Sequence, residues 1–482
     1  MLFNSLTYLL FLPSVVIIFF LLPRKAKKIF LLLASLFFYS CWNVKYTFLM
    51  VFSIVITYLT GIYLDKHIDD ERKKKKAVFI CFAINLGILF FFKYFNFALN
   101  SLNDILAIFH IHSVGRYLNF LLPVGISFYT FQALGYTIDV YRRDIKAEKN
   151  FINYALFVSF FPQLVAGPIE RSDNLLPQIK SKKIFSYENL VRGLSLITWG
   201  YFLKLVIADR AAILVNSAFN SIENYSSSML ILAAILFTVQ IYCDFYSYSI
   251  IAKGSAKILD IDLMDNFKEP FFSKSITEFW RRWHISLSSW FKDYLYIPLG
   301  GNRKGKLRQY FNFFIVFSVS GLWHGADMSF VVWGIIHGIL IIIENISGIL
   351  KKKSNFFFDF LRRILCFLFV VFAFIFFRAK NIKEANIFIK NLFAFNLSWH
   401  LFFKDLEKSN FGYNNLAVLG ISLFILFLVD LIKYNKIDPL KILQKVFLPL
   451  RWVLYFIIIF SILIFGIYGP GFSESQFIYF QF

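Results

Sequence analysis

The sequence predicts an all-α polytopic membrane protein, and three observations support this class. Of the 482 residues, 58% are hydrophobic and 17% charged, whereas soluble domains contain about 45–50% apolar and about 25% charged residues. Apolar runs approach or reach the roughly 18 residues that cross a bilayer, and examples are 2–22, 46–64, 229–242, 416–432 and 447–468. Lys and Arg gather in the short segments between these runs, which is typical of cytoplasmic loops.

The basic loops also predict an orientation. Segments 24–28 and 71–76 follow the first and third apolar runs, and placing both inside puts the N-terminus outside the cell membrane. A loop is then expected outside over 100–116, and a fifth span from near Leu118. In all, we expect about ten full spans with shorter broken, re-entrant and interfacial helices between them.

The net charge of +22 does not indicate nucleic acid binding, because the basic residues lie in loops beside the lipid bilayer. No P-loop, GxGxxG, GxSxG or HExxH motif occurs in the chain. The four cysteines are scattered and form no CxxC pair, so we expect buried free thiols rather than a metal site; they are Cys41, Cys81, Cys243 and Cys366.

Two segments break the pattern of full spans. Residues 150–183 contain a short apolar stretch with Pro162 and Gly167, which favours a broken or re-entrant helix. Residues 311–346 form two apolar halves around SGLWHG (320–325) with basic residues on both flanks, which favours a helical hairpin or a broken pair of helices with SGLWHG near the turn. We expect a single membrane domain over 1–482, whose parts are N-terminal helices (1–149), a catalytic core (150–350) and C-terminal helices (351–482).

The stretch SGLWHGADMSFVVWGIIHG (320–338) carries His324, Asp327 and His337 in mostly apolar sequence. Titratable groups at membrane depth are costly, so they mark functional hypotheses. A histidine on an interrupted helix can act as a general base, since its pKa lies near neutrality. The alternative is a histidine satisfied by a carbonyl group with no chemical role, and this alternative weighs more for His337.

The stretch SITEFWRRWHISLSSWFKDYLYIPLGGNRKGK (275–306) is basic and rich in Trp and Tyr. Ser275 and Glu278 have capping-box spacing, and Glu278 precedes Arg282 by four residues, so a helix is expected here. One interpretation is an amphipathic helix on the membrane surface. The other is a cytoplasmic vestibule for an anionic donor such as a coenzyme A thioester, with His284 near it.

Acidic and basic residues also occur at the ends of two central spans. In QIYCDFYSYSIIAKG (240–254), Asp244 follows a long apolar run and can pair with a basic group or bind a hydroxyl. Lys204, Asp209 and Arg210 are candidates for a structural ion pair. Both assignments remain open at the level of sequence.

Several blocks together resemble the membrane-bound O-acyltransferase (MBOAT) family, in its bacterial branch of alginate-type and peptidoglycan-type polysaccharide O-acetyltransferases. The two most specific blocks are EFWRRWHISLSSW and GLWHG; the others are PVGISFYTFQALGYTIDVYR, FPQLVAGPIER, QIYCDF, YIPLGGNR and the terminal FIYFQF. The resemblance implies a ring of helices around a conduit through a thinned bilayer centre. It also implies that His324 is the catalytic base and His284 the second functional histidine.

We expect substrate-binding residues around this pair, and no metal site. They are Asp244, Trp280, Arg281, Arg282, Trp283, Trp323 and Asn302. One departure concerns DFYSYSIIAKG (244–254), where this branch usually reads DFSGYSDMAIG: Ser247 replaces the glycine, and Ile250 the second aspartate. Asp244 is therefore the local acid that remains.

The expected reaction moves an acetyl group from acetyl-CoA or another cytosolic thioester, with no bound cofactor, towards a hydroxyl of an extracytoplasmic polysaccharide. The resemblance implies a separate SGNH or esterase-like partner that completes transfer to the glycan. His284 would orient the acyl donor or stabilise developing charge. The alternatives are D-alanyl transfer to teichoic acid, whose proteins share a YS motif without the aspartate, and a transporter or flippase, for which paired half-repeats would be expected.

Overall fold

A computed structural model describes residues 1–165, 167–351 and 355–468. Within these ranges the chain forms α-helices, joined by turns and by short π- and 3₁₀-helical segments. The terminal FIYFQF block, at 477–482, lies outside the described residues.

Contacts divide the chain into two compact units. The N-terminal unit comprises Met1–Leu194 with Ala252–Met264, and the C-terminal unit comprises Ser195–Ile251 and the chain from Asp265 onward. Two of the three boundaries fall inside helices, which therefore contribute to both units, and the third falls in the loop after Met264. The predicted single domain with three parts remains a prediction.

The N-terminal unit is built from helices of very different length. Its helices are α1 (Leu6–Leu21), α2 (Arg24–Ser40), α3 (Val44–Lys66), α4 (Glu71–Leu89), α5 (Phe95–Ile108), α6 (Ile126–Arg142), α7 (Phe151–Ser159), α8 (Phe161–Leu164), α9 (Ser172–Lys180), the first half of α10 (Tyr187–Tyr201) and the end of α12 (Ser227–Ile258).

The C-terminal unit takes the rest of α10 and most of α12, and it contains both predicted catalytic histidines. Its other helices are α11 (Asp209–Asn220), α13 (Ile276–Arg282), α14 (Ile285–Phe291), α15 (Lys306–His324), α16 (Met328–Ser347), α17 (Phe356–Arg378), α18 (Ile382–Leu392), α19 (Trp399–Lys408), α20 (Gly412–Tyr434), α21 (Pro439–Lys445) and α22 (Leu448–Phe465). Residues 202–208 and 292–296 are π-helical.

The described residues contain eight helices that are long and apolar enough to cross a membrane. They are Val44–Lys66, Glu71–Ile108, Tyr187–Asn220, Ser227–Ile258, Met328–Ser347, Phe356–Arg378, Gly412–Tyr434 and Leu448–Phe465. The first apolar run forms α1, which is apolar but has only 16 residues. The chain is therefore a multi-pass helical membrane protein, as predicted, but the expected number of ten full spans is not confirmed.

Three details differ from the sequence interpretation. The predicted fifth span corresponds to α6, which starts at Ile126 rather than near Leu118, because Pro123 lacks an N–H and Gly125 adopts a left-handed φ of 73°. The fourth span continues as helix through the π-helical residues 90–94 to Ile108, so much of the expected outer loop is helical. Cys41 is exposed, while the other three cysteines are buried free thiols as expected.

The segment 150–183 is broken, as predicted. Three short helices, α7, α8 and α9, replace one span, and Pro162 lies in the first turn of α8. Between α8 and α9, the Glu170 carboxylate is buried and accepts hydrogen bonds from the Met264 N–H (2.6 Å) and the Asn174 amide (2.7 Å). This carboxylate therefore joins the broken segment to the end of α12 within the N-terminal unit.

Glu170 is expected to make stability depend on pH. Burial raises its pKa from 4.5 to about 7, so between these values the folded protein binds a proton that the unfolded chain releases. The free energy of unfolding therefore falls by about 3 kcal/mol as the pH rises from 4.5 to about 7. Melting temperatures of detergent-solubilised protein at pH 5 and pH 8 should show a smaller difference in Glu170→Gln than in wild type. The exposed Glu188→Gln is the control, and an unchanged pH slope in Glu170→Gln would contradict the assignment.

Candidate active site

Helices α15 and α16 form the hairpin that SGLWHG predicted. Helix α15 ends at His324, and α16 begins at Met328 after a three-residue turn. Asp327 is the N-cap of α16, and its carboxylate accepts the Ser329 N–H at 2.8 Å. The Asp327 side chain therefore has a structural role, and the histidines remain the candidates for chemistry.

Two glycines allow the two helices of the hairpin to approach closely at this end. A Cβ on Gly321 would lie 2.2 Å from the Phe330 carbonyl oxygen, and one on Gly325 would lie 2.1 Å from the Phe330 ring. Gly325 has extended backbone torsions that any residue adopts. Glycine is therefore required at these positions by close packing rather than by an unusual φ. This packing holds the end of α15 against α16.

Gly321→Ala is expected to destabilise the protein by about 1–3 kcal/mol or more, since the backbone of α16 must move away. Gly420→Ala on α20 is a matched control, because its Cβ would meet nothing within 4 Å and alanine favours helix. Thermal unfolding of both variants in the same detergent measures the difference. Equal melting temperatures would contradict the packing argument.

His324 is buried among aromatic rings at the end of α15. Its exposed fraction is 2%. Its ring centroid lies 5.0 Å from that of Trp323, 5.0 Å from that of Trp333 and 5.4 Å from that of Phe377. All three rings are steeply inclined to the imidazole. The surroundings therefore exclude water from a titratable side chain.

His284 lies between two short helices, α13 and α14. Helix α13 begins as the capping pattern predicts, since Ser275 accepts the Glu278 N–H at 3.0 Å. Glu278 also forms an ion pair with Arg282 at 2.9 Å. In a capping box its carboxylate would accept the Ser275 N–H, but here it accepts the Lys274 N–H. After α13 the backbone turns sharply, because His284 has a φ of 44°. This left-handed residue is uncommon for a non-glycine and separates the two helices.

Asn266 holds the His284 ring. Its side-chain oxygen lies 3.3 Å from Nδ1 of His284 and accepts the Ser286 hydroxyl at 2.8 Å and the Ser286 N–H at 3.3 Å. Its amide nitrogen donates to the Ser249 hydroxyl at 3.1 Å. Because an amide oxygen only accepts, a hydrogen bond here requires the proton on Nδ1, and this tautomer leaves Nε2 as the acceptor nitrogen. Sequence reasoning did not identify Asn266.

His284 is a neutral imidazole at physiological pH. The side chain is completely buried and lies outside the eight candidate spans, and this burial lowers its pKa to about 3. Its ring packs against Phe245 at 4.6 Å between centroids. A buried neutral imidazole can accept or donate a hydrogen bond, but it does not contribute a positive charge.

The two predicted catalytic histidines lie together. The ring centroids of His284 and His324 are 6.2 Å apart, and that of Trp323 is 5.9 Å from that of His284. Forty residues separate the two positions in sequence, so the fold of the C-terminal unit brings them together. The pair combines two nearby imidazoles with aromatic walls that limit water.

Asp244 is part of a buried ion cluster. Its carboxylate lies 2.6 Å from the Lys204 ammonium, and the Asp209 carboxylate lies 2.9 Å from the same nitrogen. All three side chains are buried. Asp244 thus pairs with a basic group, and the ion pair expected among Lys204, Asp209 and Arg210 is present between Lys204 and Asp209. The predicted role of Asp244 in substrate binding remains a prediction. Phe245, the next residue, packs on His284.

The remaining predicted binding residues divide into buried and exposed groups. Trp280 and Trp283 are buried, and Trp280 packs on Trp333 at 5.7 Å between centroids. The Arg282 guanidinium, besides its pair with Glu278, lies 5.1 Å from the Tyr434 ring centroid. Arg281 and Asn302 are exposed. Within the described residues, no group of three or more His, Cys, Asp or Glu side chains is placed to hold a metal ion.

The fold and site define a class: a multi-pass helical membrane protein with two adjacent histidines buried in aromatic surroundings. The profile of MBOAT, the membrane-bound O-acyltransferase family, matches residues 142–384, which include both histidines. The chain belongs to this family and is an O-acyltransferase.

Individual relatives match most of the chain. A probable alginate O-acetylase AlgI of Pseudomonas syringae is 37% identical over 427 residues, which cover 88% of this chain and 80% of the relative. A peptidoglycan O-acetyltransferase of Helicobacter pylori is 36% identical over 429 residues, covering 82% and 80%. A teichoic acid D-alanyltransferase of Bacillus subtilis is 27% identical over 280 residues, covering 54% and 70%. Similarity to the two O-acetylating proteins therefore extends over more of the chain.

Proposed function

We propose that the chain transfers an acetyl group from a cytosolic thioester, acetyl-CoA, towards a hydroxyl of an extracytoplasmic polysaccharide, with His324 as the general base. The observation that carries the proposal is the buried pair of His284 and His324, with ring centroids 6.2 Å apart. The names of the two relatives that match more than four fifths of the chain support acetyl as the acyl group and a polysaccharide as the acceptor.

The proposed step begins with the neutral imidazole of His324. It takes the proton of an acceptor hydroxyl as the oxygen attacks the thioester carbonyl, which forms a tetrahedral intermediate. The intermediate collapses, its carbon–sulfur bond breaks, and the leaving thiolate takes the proton from the imidazolium. Because Trp323, Trp333 and Phe377 surround His324, water has little access to hydrolyse the thioester.

His284 has a different proposed role. With Nδ1 donating to Asn266, the ring presents Nε2 as a hydrogen-bond acceptor. An acceptor does not stabilise negative charge, which needs a donor, but it can accept an amide N–H from the pantetheine arm of the thioester donor. We therefore place the acyl donor at Nε2 of His284, and the single proton of the incoming hydroxyl goes to His324.

Donor docking is proposed at the basic face that follows α14. Several cationic side chains there are exposed and so available to the phosphates of coenzyme A; they are Lys292, Arg303, Lys304, Lys306 and Arg308. This face lies on the cytoplasmic side in the proposed topology, with the N-terminus outside and the chain in the inner or plasma membrane. The acceptor side then faces outward, where an SGNH or esterase-like partner completes transfer to the glycan.

D-alanyl transfer is the second candidate function. It is favoured by the sequence DFYSYS, which lacks the second aspartate of the acetylating branch, and by the Bacillus subtilis relative. That relative matches 54% of the chain, against 88% for the Pseudomonas syringae relative. Acetyl transfer is therefore the first proposal. A transporter without acyl chemistry does not fit membership of the O-acyltransferase family.

The test compares envelope glycans of cells with and without this chain. Mild base releases ester-linked groups, and acetate and D-alanine are measured in the released fraction. Acetate that depends on the chain is the expected result, and the glycan fraction that carries it identifies the acceptor. Chain-dependent D-alanine without acetate would replace the first proposal by the second, and the release of neither would contradict both.

A further inference from the structure

His337 is a buried polar side chain that the proposed reaction does not use. It lies on α16, and its exposed fraction is 0%. Within the described residues, neither Nδ1 nor Nε2 has a hydrogen-bond partner. A buried imidazole without partners costs free energy, so such a group needs a reason to persist.

Two tryptophans beside His337 share this property. The His337 ring centroid lies 5.2 Å from that of Trp280 and 5.1 Å from that of Trp333, and the two indoles are 5.7 Å apart. Both indole N–H groups are buried, and among the described residues neither has a hydrogen-bond partner. Three mutually contacting rings therefore contain four polar nitrogens that protein groups do not satisfy.

The chemistry of these nitrogens selects a class of ligand. Each indole N–H only donates, and a neutral imidazole donates at one nitrogen and accepts at the other. The cluster thus offers three donors and one acceptor, and the fourth ring against His337, Phe279, is uncharged. An uncharged oxygen with lone pairs, as in a carbonyl group, matches this set better than a cation or an amine does.

The cluster is held by contacts on both sides. Glu344, about two turns after His337 on α16, accepts hydrogen bonds from the Ile276 N–H, the Thr277 N–H (2.9 Å) and the Thr277 hydroxyl (2.8 Å). These bonds fasten the first turn of α13, the helix of Trp280, to the helix of His337. On the other side, a Cβ on Gly334 would lie 2.1 Å from the Phe317 carbonyl oxygen, so α15 and α16 are closely packed here.

The cluster also adjoins the catalytic pair. Trp333 contacts His337 with a centroid distance of 5.1 Å and contacts His324 at 5.0 Å. One indole therefore separates His337 from the proposed base. A ligand oxygen bound at His337 would therefore lie one indole ring away from His324.

We propose that His337, Trp280 and Trp333 form a carbonyl-binding site that receives the acyl oxygen of the thioester donor. The inference rests on the proposed function and adds the residues that recognise the donor's acyl end. A bound water can also accept hydrogen bonds from these donors, and the experiment distinguishes the two sources. In the proposal, His337 and the indoles hold the carbonyl before attack while His324 handles the acceptor's proton.

The test uses two unreactive analogues of acetyl-CoA. In the ketone analogue a methylene group replaces the sulfur, and in the alkene analogue a =CH₂ group additionally replaces the carbonyl oxygen. Binding to the purified full chain in detergent is followed by isothermal titration calorimetry. Wild type is expected to bind the ketone about tenfold more tightly than the alkene, because the alkene leaves buried donors unsatisfied.

His337→Phe keeps an aromatic ring and removes both nitrogens, so it should reduce the ketone preference to within about twofold. His337→Gln retains a donor and an acceptor and should keep part of the preference. Trp280→Phe is a second variant with the same expected direction, and melting temperatures confirm that each variant folds.

Two results would overturn the inference in different ways. Equal binding of ketone and alkene by wild type means that the cluster holds water only, while the proposed acetyl transfer stands. An unchanged ketone preference in folded His337→Phe and Trp280→Phe means that other residues bind the carbonyl. If wild type binds neither analogue and the envelope glycans carry no chain-dependent acetate, the proposed function fails together with the inference.

Discussion

Replacing His324 with alanine is expected to lower the ester-linked acetate of the envelope glycan by about 10²–10⁴-fold, the usual contribution of a general base. The proposed step uses the imidazole at the end of α15 to take the hydroxyl proton, and the four rings around it carry no charge. His324→Gln retains hydrogen bonding without basicity and should lose activity to a similar degree. The measurement is base-released acetate per amount of protein in the membrane.

The control for this prediction is His112→Ala. His112 is exposed and lies outside the C-terminal unit, so its removal should leave acetate within about twofold of wild type. Equal membrane abundance and equal melting temperatures exclude misfolding as the cause of a loss in His324→Ala. A folded His324→Gln variant with wild-type acetate would show that another group acts as the base.

Lys204→Met is expected to give the largest loss of stability, about 3–5 kcal/mol. The Lys204 ammonium lies between the carboxylates of Asp209 and Asp244, all three side chains are buried, and methionine leaves two buried acids without this cation. Lys204 is in the π-helical segment 202–208, and Asp244 is on α12 beside Phe245, which packs on His284. The variant should therefore show lower membrane abundance and a lower melting temperature.

Two further variants make this prediction specific to the buried charge. In Lys204→Met/Asp244→Asn one carboxylate is removed as well, so part of the lost stability should return. Lys257→Met breaks the ion pair with Asp262, whose side chain is 66% exposed, and such surface pairs contribute about 0–1 kcal/mol. Similar melting temperatures for Lys204→Met and Lys257→Met would show that the buried cluster has no special role.

The sequence predicted the parts of the fold and site that depend on local pattern. The cap of α13 at Ser275, the Glu278–Arg282 pair and the interrupted helices around SGLWHG follow from residue spacing within a few turns. His324 and His284 were identified because a histidine in apolar sequence is costly and because their motifs are specific. The distance between them was not predictable, since forty residues of chain separate the two positions.

Features that depend on tertiary contacts were missed. Asn266 lies in a loop with no motif of its own, yet its side chain fixes the His284 ring. Asp244 had two open roles at the level of sequence, and its pairing with Lys204 at 2.6 Å depends on the fold. His337 was weighed as a core residue, which its burial alone supports. Among the described residues, the ring nitrogens of His337, Trp280 and Trp333 have no hydrogen-bond partners. Our inference of a ligand rests on these nitrogens.

Transfer from labelled donor in inside-out membrane vesicles tests the central claim most directly. Vesicles from cells that make the acceptor glycan receive acetyl-CoA labelled in the acetyl group, which reaches the cytoplasmic face, and base-labile label in the glycan is counted. The account predicts label in vesicles with wild-type protein and a loss of at least about 100-fold with His324→Gln at equal abundance. Equal labelling by wild type and His324→Gln, or no labelling by wild type from acetyl-CoA, would contradict it.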